Sequence, residues 1–365
     1  MESWRKPRPQ QPGENAPSIF AVVMRIFSGI QPTGAKTLGN YAGGFRQYVE
    51  TQERGEAFFC IVDLHSITVE YDPAELRDST LNLYAMLVAT GLDPDRSTIF
   101  AQSHVAAHAE AAWLLSAVTS YGQLGRMTQF KEKSERQEFL SAGLFTYPVL
   151  MAGDILLYQT DLVPIGDDQR QHLELARDVA ERFNTRFGET FRIPEGQYPE
   201  VGARVMDLQD PVSKMSTSSP LAAQGVVRML DEPDTIRRKL RSAVTDSGRE
   251  VKHDPAEKPG ISNLIEIMTV ATGESVEEVE ARYDGQGYGP FKADVAEAVV
   301  ELLTPIQKRY RELRGDDREL QRLLAIGAEK ARNASEPTLH SMYERMGFVM
   351  PASGRFFGAA RPKGL

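Results

Sequence analysis

Apolar residues run almost unbroken through AVVMRIF (21–27), AFFCIVDLH (57–65) and STIFAQS (97–103). Runs this short, rich in β-branched and aromatic residues, predict strands covered on both faces. Between them the spacing changes to that of a helix. Tyr41, Phe45, Tyr48 and Val49 recur at helical intervals, with Thr37 or Asn40 placed to start the helix. Residues 73–90 predict a second helix around Leu76, Leu83 and Leu87, and AHAEAAWLLSAV a third. Strands alternating with helices predict a parallel sheet with right-handed crossovers.

The pattern continues with DLVPIG, a short strand, and DDQRQHLELARDVAERFNTRF, a helix whose buried face carries Leu173, Ala176, Val179 or Ala180, Phe183 and Phe187. Asp167 is placed to cap its start. After DPVSKMSTSSP the strand signal stops. From about residue 221 onward only helices are predicted, among them a long one through Val295, Val299, Leu302 and Ile306 that Pro305 is expected to kink. The fold class is therefore α/β, a Rossmann-type parallel sheet followed by an all-helical part. The expected division is a disordered tail over 1–23, a sheet domain over 24–220, a helical domain over 221–345 and a tail over 346–365. No internal repeat is evident.

Composition changes this picture little. The chain has 365 residues, 41% hydrophobic and 25% charged, with a formal net charge of −9. That balance argues against nonspecific coating of nucleic acid, yet leaves room for a local basic face. The single cysteine, Cys60, excludes an intrachain disulfide, and a reducing, cytoplasmic setting is expected. No cluster of metal-binding spacing, signal segment or membrane-spanning run is evident. The proline-rich start, MESWRKPRPQQPGENAPS, reads as a solvated tail despite its PxxP pattern.

Three polar segments interrupt the frame. IFSGIQPTGAKTLGN (26–40) sets a glycine-rich turn between a strand and a helix start, a physical recipe for holding phosphate, because backbone N–H groups and the helix dipole both favour an anion. It matches neither the dinucleotide fingerprint nor the P-loop, and a purely structural turn is the competing reading. KMSTS (214–218) offers a lysine and three hydroxyls suited to a mobile clamp on a polyphosphate, or to an ordinary surface loop. GDDQRQH (166–172) places two carboxylates and a glutamine at a helix start, as caps or as partners for an ammonium group or a ribose.

Together FSGIQPTGAKTLGNY, VDLHSIT, RMTQFKEKS, TYPVLMAGDILLYQTDLVPIGDDQRQHLELARDVAERFN, GARVMDLQDPVSKMSTS and AVTDS resemble the bacterial tryptophanyl-tRNA synthetases, members of class I. The resemblance runs from about Met24 to about residue 345. TLGN and KMSTS correspond to the two class I signatures. It implies a Rossmann catalytic domain, a helical anticodon-binding part and a homodimer. The substrates would be ATP, L-tryptophan and tRNA(Trp), with Mg²⁺ carried on the ATP phosphates.

The resemblance also implies roles. Gln31, Thr37, Gly39 and Asn40 would lie against ATP, with Asp168 near the ribose and Val205 and Met215 near adenine. Lys133 and Lys214 would contact the phosphates, with Ser216, Thr217 and Ser218 in the same loop, and Gln31, Lys133 and Lys214 would be catalytic. Asp154 would accept the indole N–H. Phe27, His65, Met151 and Val163 would wall the ring, and Tyr147 and Gln169 would hold the α-amino group. On chemical grounds Asp154 stands out already, because a carboxylate inside VLMAGDILLY needs a partner. No metal ligand of the protein itself is implied.

One position departs from the pattern. The second signature usually reads K-M-S-K-S, whereas residue 217 is threonine. One cation near the departing pyrophosphate is missing, and Lys214, Lys133 and Mg²⁺ are expected to carry more of that charge. The implied chemistry is adenylation of tryptophan and then transfer to a ribose hydroxyl of tRNA. It needs no protein nucleophile, since the substrate carboxylate is already ionised. A tyrosine enzyme of the same architecture and a regulatory paralogue that binds without charging tRNA are the rival readings. RRKLR (237–241) and QKRYRELR (307–314) are candidate phosphate contacts in the helical part, or solvated faces.

Overall fold

The computed structural model describes residues 23–130, 140–166, 169–198, 205–217 and 219–351. Its centre is a five-stranded parallel sheet of order β3-β2-β1-β4-β5. The strands are β1 (Arg25–Ile30), β2 (Glu56–Ile61), β3 (Thr98–Ala101), β4 (Leu162–Pro164) and β5 (Glu195–Gln197). The chain winds outward from β1 in one direction, returns, and winds the other way, so the order reverses between β1 and β4. Open sheets of this kind bind ligands in the crevice beyond the strand ends at such a reversal.

Strand alternation sends neighbouring side chains to opposite faces. Phe27, Phe58, Cys60 and Phe100 enter one core. Ala57, Phe59, Ile61 and Ile99 enter the other. In register, Phe27 pairs with Phe58 and Ser28 with Phe59. The first strand begins later than its apolar run predicts, at Arg25, whose backbone N–H donates to Asp161 Oδ2 at 2.8 Å. It then extends to Ile30, through Gly29, because β2 offers partners as far as Ile61. β5 was not anticipated: Glu-Gly-Gln has no hydrophobic signal and is a strand only because β4 pairs with it.

The helix after β1 is not uniform. Leu38–Asn40 and Arg46–Thr51 flank a π-type turn at Tyr41–Phe45. Pro73–Ala89 starts on Asp72, whose carboxylate accepts from Ala74 and Glu75, with proline in the first turn. Ala142–Leu156 is capped by Ser141 and tolerates Pro148. Arg170–Phe187 buries Leu173, Ala176, Val179, Ala180 and Phe183, as its periodicity predicts, while the expected cap Asp167 lies outside the described residues.

Beyond residue 220 the described elements are helices: Pro233–Arg241, Pro259–Thr272, Val276–Arg282, Tyr288–Arg314 and Asp317–Arg345. Pro305 lies inside Tyr288–Arg314. The last helix runs against β3, and a Cβ on Gly327 would overlap the Ile99 carbonyl oxygen. One hydrophobic cluster joins Phe59 and Ile99 of the sheet to Val295, Val299 and Leu320 of these helices. Cys60 is buried. No helix among the described residues is long and apolar enough to cross a membrane.

Candidate active site

At the β1–β4 reversal a cavity of about 420 Å³ opens. Phe27, Gln31, His65, Tyr147, Met151, Asp154, Val163 and Gln169 all line it, although they are spread over 143 positions of sequence. β1 brings Phe27, and its following loop brings Gln31. The turn after β2 brings His65. The Ala142–Leu156 helix presents Tyr147, Met151 and Asp154 at intervals of four and three residues, so all three share one helical face. β4 supplies Val163, and Gln169 sits at the start of the next helix.

Asp154 is 1% exposed. Its Oδ1 accepts from Gln102 Nε2 at 2.7 Å and faces His108 Nδ1 at 2.6 Å. Its Oδ2 faces His65 Nε2 at 2.8 Å. A carboxylate only accepts, so both histidines carry a proton on the facing nitrogen. The other ring nitrogen of His108 meets the Tyr158 hydroxyl at 2.8 Å. Burial pushes the Asp154 carboxyl up, but the hydrogen bonds from His108 and His65 outweigh it and hold the group at about 2. Of roughly four acceptor positions on a carboxylate, three are taken, and one at Oδ2 remains. A ligand N–H is the chemistry that position suits.

Phe27 stacks on Tyr158, with centroids 5.5 Å apart and 17° between planes. Tyr158 therefore serves both the aromatic wall and the Asp154 network. The Tyr147 hydroxyl donates to Gln129 Oε1 at 3.1 Å and lies 2.8 Å from His172 Nε2. Burial pushes its phenol up to about 12, which keeps it neutral near pH 7.

The two signature segments meet beside this cavity. Thr37 and Asn40 form a reciprocal cap: the Thr37 N–H donates to Asn40 Oδ1 at 2.9 Å and the Asn40 N–H to Thr37 Oγ1 at 3.3 Å. Gly39 lies near Val205 and Met215. A Cβ there would find Thr37 Oγ1 at 3.4 Å, and the Val205 oxygen and Met215 Cβ at 3.7 Å, all ordinary contacts. The fold thus tolerates a side chain at 39, and glycine at this point leaves space for a ligand. Lys214 and Met215 lie on a hairpin-like turn that pairs Met206 with Lys214, and Lys214 is exposed. Gly34 packs on Thr217, where a Cβ would come within 3.2 Å of Thr217 Cβ. Ser216 belongs to the same loop, whereas Lys133, Asp168 and Ser218 lie outside the described residues.

Gln102, His108 and Tyr158 were invisible to sequence reasoning. Tyr158 lies within a stretch that carries the family resemblance, and Gln102 and His108 within a predicted strand and helix, but no spacing signals that all three converge on Asp154. The basic stretches hold a different lesson. Lys239 is buried and bound to the Val226 carbonyl and to Asp231, and Arg237 pairs with Glu297 at 2.9 Å. Arg314 binds Asn82 and Asp78. Lys239, Arg237 and Arg314 are thus held by partners within the molecule, whereas Arg238, Arg241, Lys308, Arg309 and Arg311 are exposed.

Residues 21–304 match the family of tRNA synthetases class I (W and Y). The chain is 52% identical over 326 residues to the tryptophan–tRNA ligase of Caldanaerobacter subterraneus, covering 89% of this chain and 99% of that one. It superposes on tryptophanyl-tRNA synthetase from Mycoplasma pneumoniae with a TM-score of 0.81 at 35% identity, over 90% and 99% of the two chains. The Campylobacter jejuni tryptophanyl-tRNA synthetase, solved with ADP and tryptophan, gives 0.77 at 35% identity, over 89% and 100%. The chain belongs to the class I tRNA synthetases of the tryptophan and tyrosine family. Within it, its high-identity relatives are bacterial tryptophan–tRNA ligases.

Proposed function

We propose that this protein is a tryptophan–tRNA ligase. It activates L-tryptophan with ATP to tryptophanyl-AMP and pyrophosphate, then transfers tryptophan to the 3′ end of tRNA(Trp). The observation that carries the tryptophan assignment is Asp154, a buried carboxylate with one acceptor position left in a cavity walled by Phe27, Met151 and Val163. The indole ring has one polar group, its N–H. Pairing it with Asp154 rejects phenylalanine, which would leave the acceptor empty at a cost of about 1–3 kcal/mol or more.

Tyr147 and Gln169 are proposed to hold the α-amino group at the cavity's polar side. His65 takes a modified part: it fixes Asp154 through Nε2 as well as flanking the ring. ATP would lie between the glycine-rich turn and the KMSTS loop, with Gly39, Val205 and Met215 around adenine and with Thr37 and Asn40 at the helix start. The relative solved with ADP and tryptophan supports binding of both a nucleotide and the amino acid. Gln31 lines the cavity at its junction with the nucleotide side, suited to the α-phosphate. Lys214 is exposed on its loop, free to close on the phosphates. Lys133, Asp168 and Ser218 complete the proposed set on family resemblance.

In adenylation a carboxylate oxygen of tryptophan attacks the α-phosphorus, the bond to the bridging oxygen breaks, and pyrophosphate leaves. In transfer, a ribose hydroxyl of the terminal adenosine attacks the carbonyl carbon and AMP leaves, the 2′-hydroxyl being the expectation for this class. Positioning and charge stabilisation supply the catalysis. Among the described residues no three acidic, histidine or cysteine side chains group as metal ligands. Mg²⁺ would be carried on the ATP phosphates and would neutralise their charge there.

Residues 24–220 are proposed as the catalytic domain and 221–345 as the anticodon-binding part. A cytoplasmic homodimer completes the proposal. Trp113 and Tyr121, 79% and 80% exposed on neighbouring short helices, support an apolar subunit contact. The deciding experiment is tryptophan-dependent ATP–pyrophosphate exchange followed by charging of tRNA(Trp). Exchange with tyrosine instead, or binding of tryptophan without a charged product, would refute the assignment.

A further inference from the structure

The described parts of the two signature segments, with the turn that follows them, carry three cations: Lys36, Lys214 and Arg228. Arg228 is 5% exposed and turned inward. Its guanidinium donates to the Ser219 carbonyl at 2.7 Å, to Pro220 at 3.0 Å and to Ala35 at 3.3 Å. It binds the glycine-rich turn to the end of the KMSTS loop through its two terminal nitrogens, and its buried Nε has no hydrogen-bond partner among the described residues. Backbone pairing reinforces that junction: the Met229 N–H donates to the Lys36 carbonyl and the Leu38 N–H to Val227, both at 2.9 Å.

Lys36 is different. It is half-buried in the glycine-rich turn, with Nζ donating to the carbonyls of Gln31 at 2.8 Å and Thr33 at 3.0 Å. An ammonium has three N–H groups, and these two bonds leave one. One of the two acceptors is the backbone carbonyl of Gln31, the residue proposed to meet the α-phosphate, and the same turn touches Thr217 through Gly34. Burial lowers Lys36 to about 8, so its charge is poorly hydrated and would gain from an arriving polyphosphate.

We propose that Lys36 is a catalytic residue: its ammonium contacts the departing pyrophosphate of ATP and supplies the positive charge that Thr217 does not. The turn lies against the KMSTS loop where Gly34 meets Thr217, so a cation on the turn is placed to serve the phosphates that a lysine at 217 would serve. Electrons flow as in the proposed adenylation, from the tryptophan carboxylate to phosphorus and onto the pyrophosphate oxygen, and Lys36 stays protonated throughout. The role rests on the adenylation reading above.

The test is a double-mutant cycle in tryptophan-dependent ATP–pyrophosphate exchange with Lys36→Met, Thr217→Lys and the pair. Loss of one preorganised charge in such a site lowers kcat/KM for ATP by about 100-fold. Lys36→Met is expected to show that loss with an unchanged KM for tryptophan. Thr217→Lys in the Lys36→Met background is expected to restore about tenfold or more, since a lysine there reaches the same charge. If Lys36 merely props the Gln31 and Thr33 carbonyls, Thr217→Lys restores nothing, and the proposal falls. Full activity of Lys36→Met also overturns it while leaving the tryptophan–tRNA ligase reading intact. Absence of exchange by the unaltered protein would remove both.

Discussion

His108 and Asp154 lie 46 positions apart in sequence, yet His108 Nδ1 is 2.6 Å from Asp154 Oδ1 and both side chains are buried. The histidine is held from behind by Tyr158, whose hydroxyl lies 2.8 Å from its other ring nitrogen. His108→Phe keeps a ring of similar shape and removes the donor. The Asp154 carboxyl should then rise, because burial still acts on it and one opposing hydrogen bond is gone. The KM for tryptophan should be flat with pH in the unaltered protein. In the variant it should climb as pH falls below about 6. Steady-state exchange across pH 5–8 reads this directly, and a flat profile in both would deny His108 its positioning role.

Asp154→Asn keeps the volume but trades an oxygen acceptor for a donor or a weaker one. Tryptophan affinity should fall by about 1–3 kcal/mol, roughly 5-fold to 150-fold. A tryptophan analogue with sulfur in place of the indole nitrogen should lose affinity for the unaltered protein and be nearly indifferent to the substitution. Calorimetric titration of both ligands against both proteins separates these outcomes.

Acid stability carries the same signature. Asp154 is depressed to about 2 in the fold, below the usual carboxylate value near 4. A depressed group stabilises the native state above its unfolded pKa, and that contribution is lost as pH falls through the folded value. About 2 kcal/mol should therefore be present at pH 5 and disappear between about pH 4 and pH 2. Urea unfolding at stepped pH should show Asp154→Asn lacking this part of the acid dependence.

Gly39→Ala probes whether glycine at this point serves the chain or the ligand. The added methyl meets only ordinary contacts with Thr37, Met215 and Val205. The melting temperature should shift by no more than about 3 °C, while the KM for ATP should rise at least about tenfold. A large fall in melting temperature with unchanged KM would reverse the assignment.

Gly327→Leu should act far from the chemistry. A side chain there collides with the Ile99 carbonyl and would lift the Asp317–Arg345 helix from β3. Overpacking of this kind costs about 1–3 kcal/mol or more. Thermal unfolding should register it as a lowered midpoint, whereas Gly273→Leu, with open space around its Cβ, should suffer only its backbone strain.

Local order was largely written in the chain. The apolar runs at 57–65 and 97–103 announced β2 and β3, because strands covered on both sides exclude polar residues. The 3.6-residue spacing of Leu173, Ala176, Val179 and Phe183 announced a helix, because one stripe must be apolar. Gly-rich and KMSTS segments stood out as polar breaks in that frame, and their family resemblance named the ligands. β5 and the π-type turn at Tyr41–Phe45 escaped, since pairing and local packing create both without a hydrophobic signature.

What position 154 does depended on the folded chain. Its anomaly, a carboxylate among hydrocarbon side chains, was visible along the sequence. Its remedy came from Gln102, His108 and His65, which arrive on other elements and share no spacing with it. Hydrophobic periodicity is a local property of one helix or strand. A buried charge is balanced by whatever donors the sheet order brings within 3 Å, and that meeting exists only once β1, β2, β3 and β4 are packed side by side.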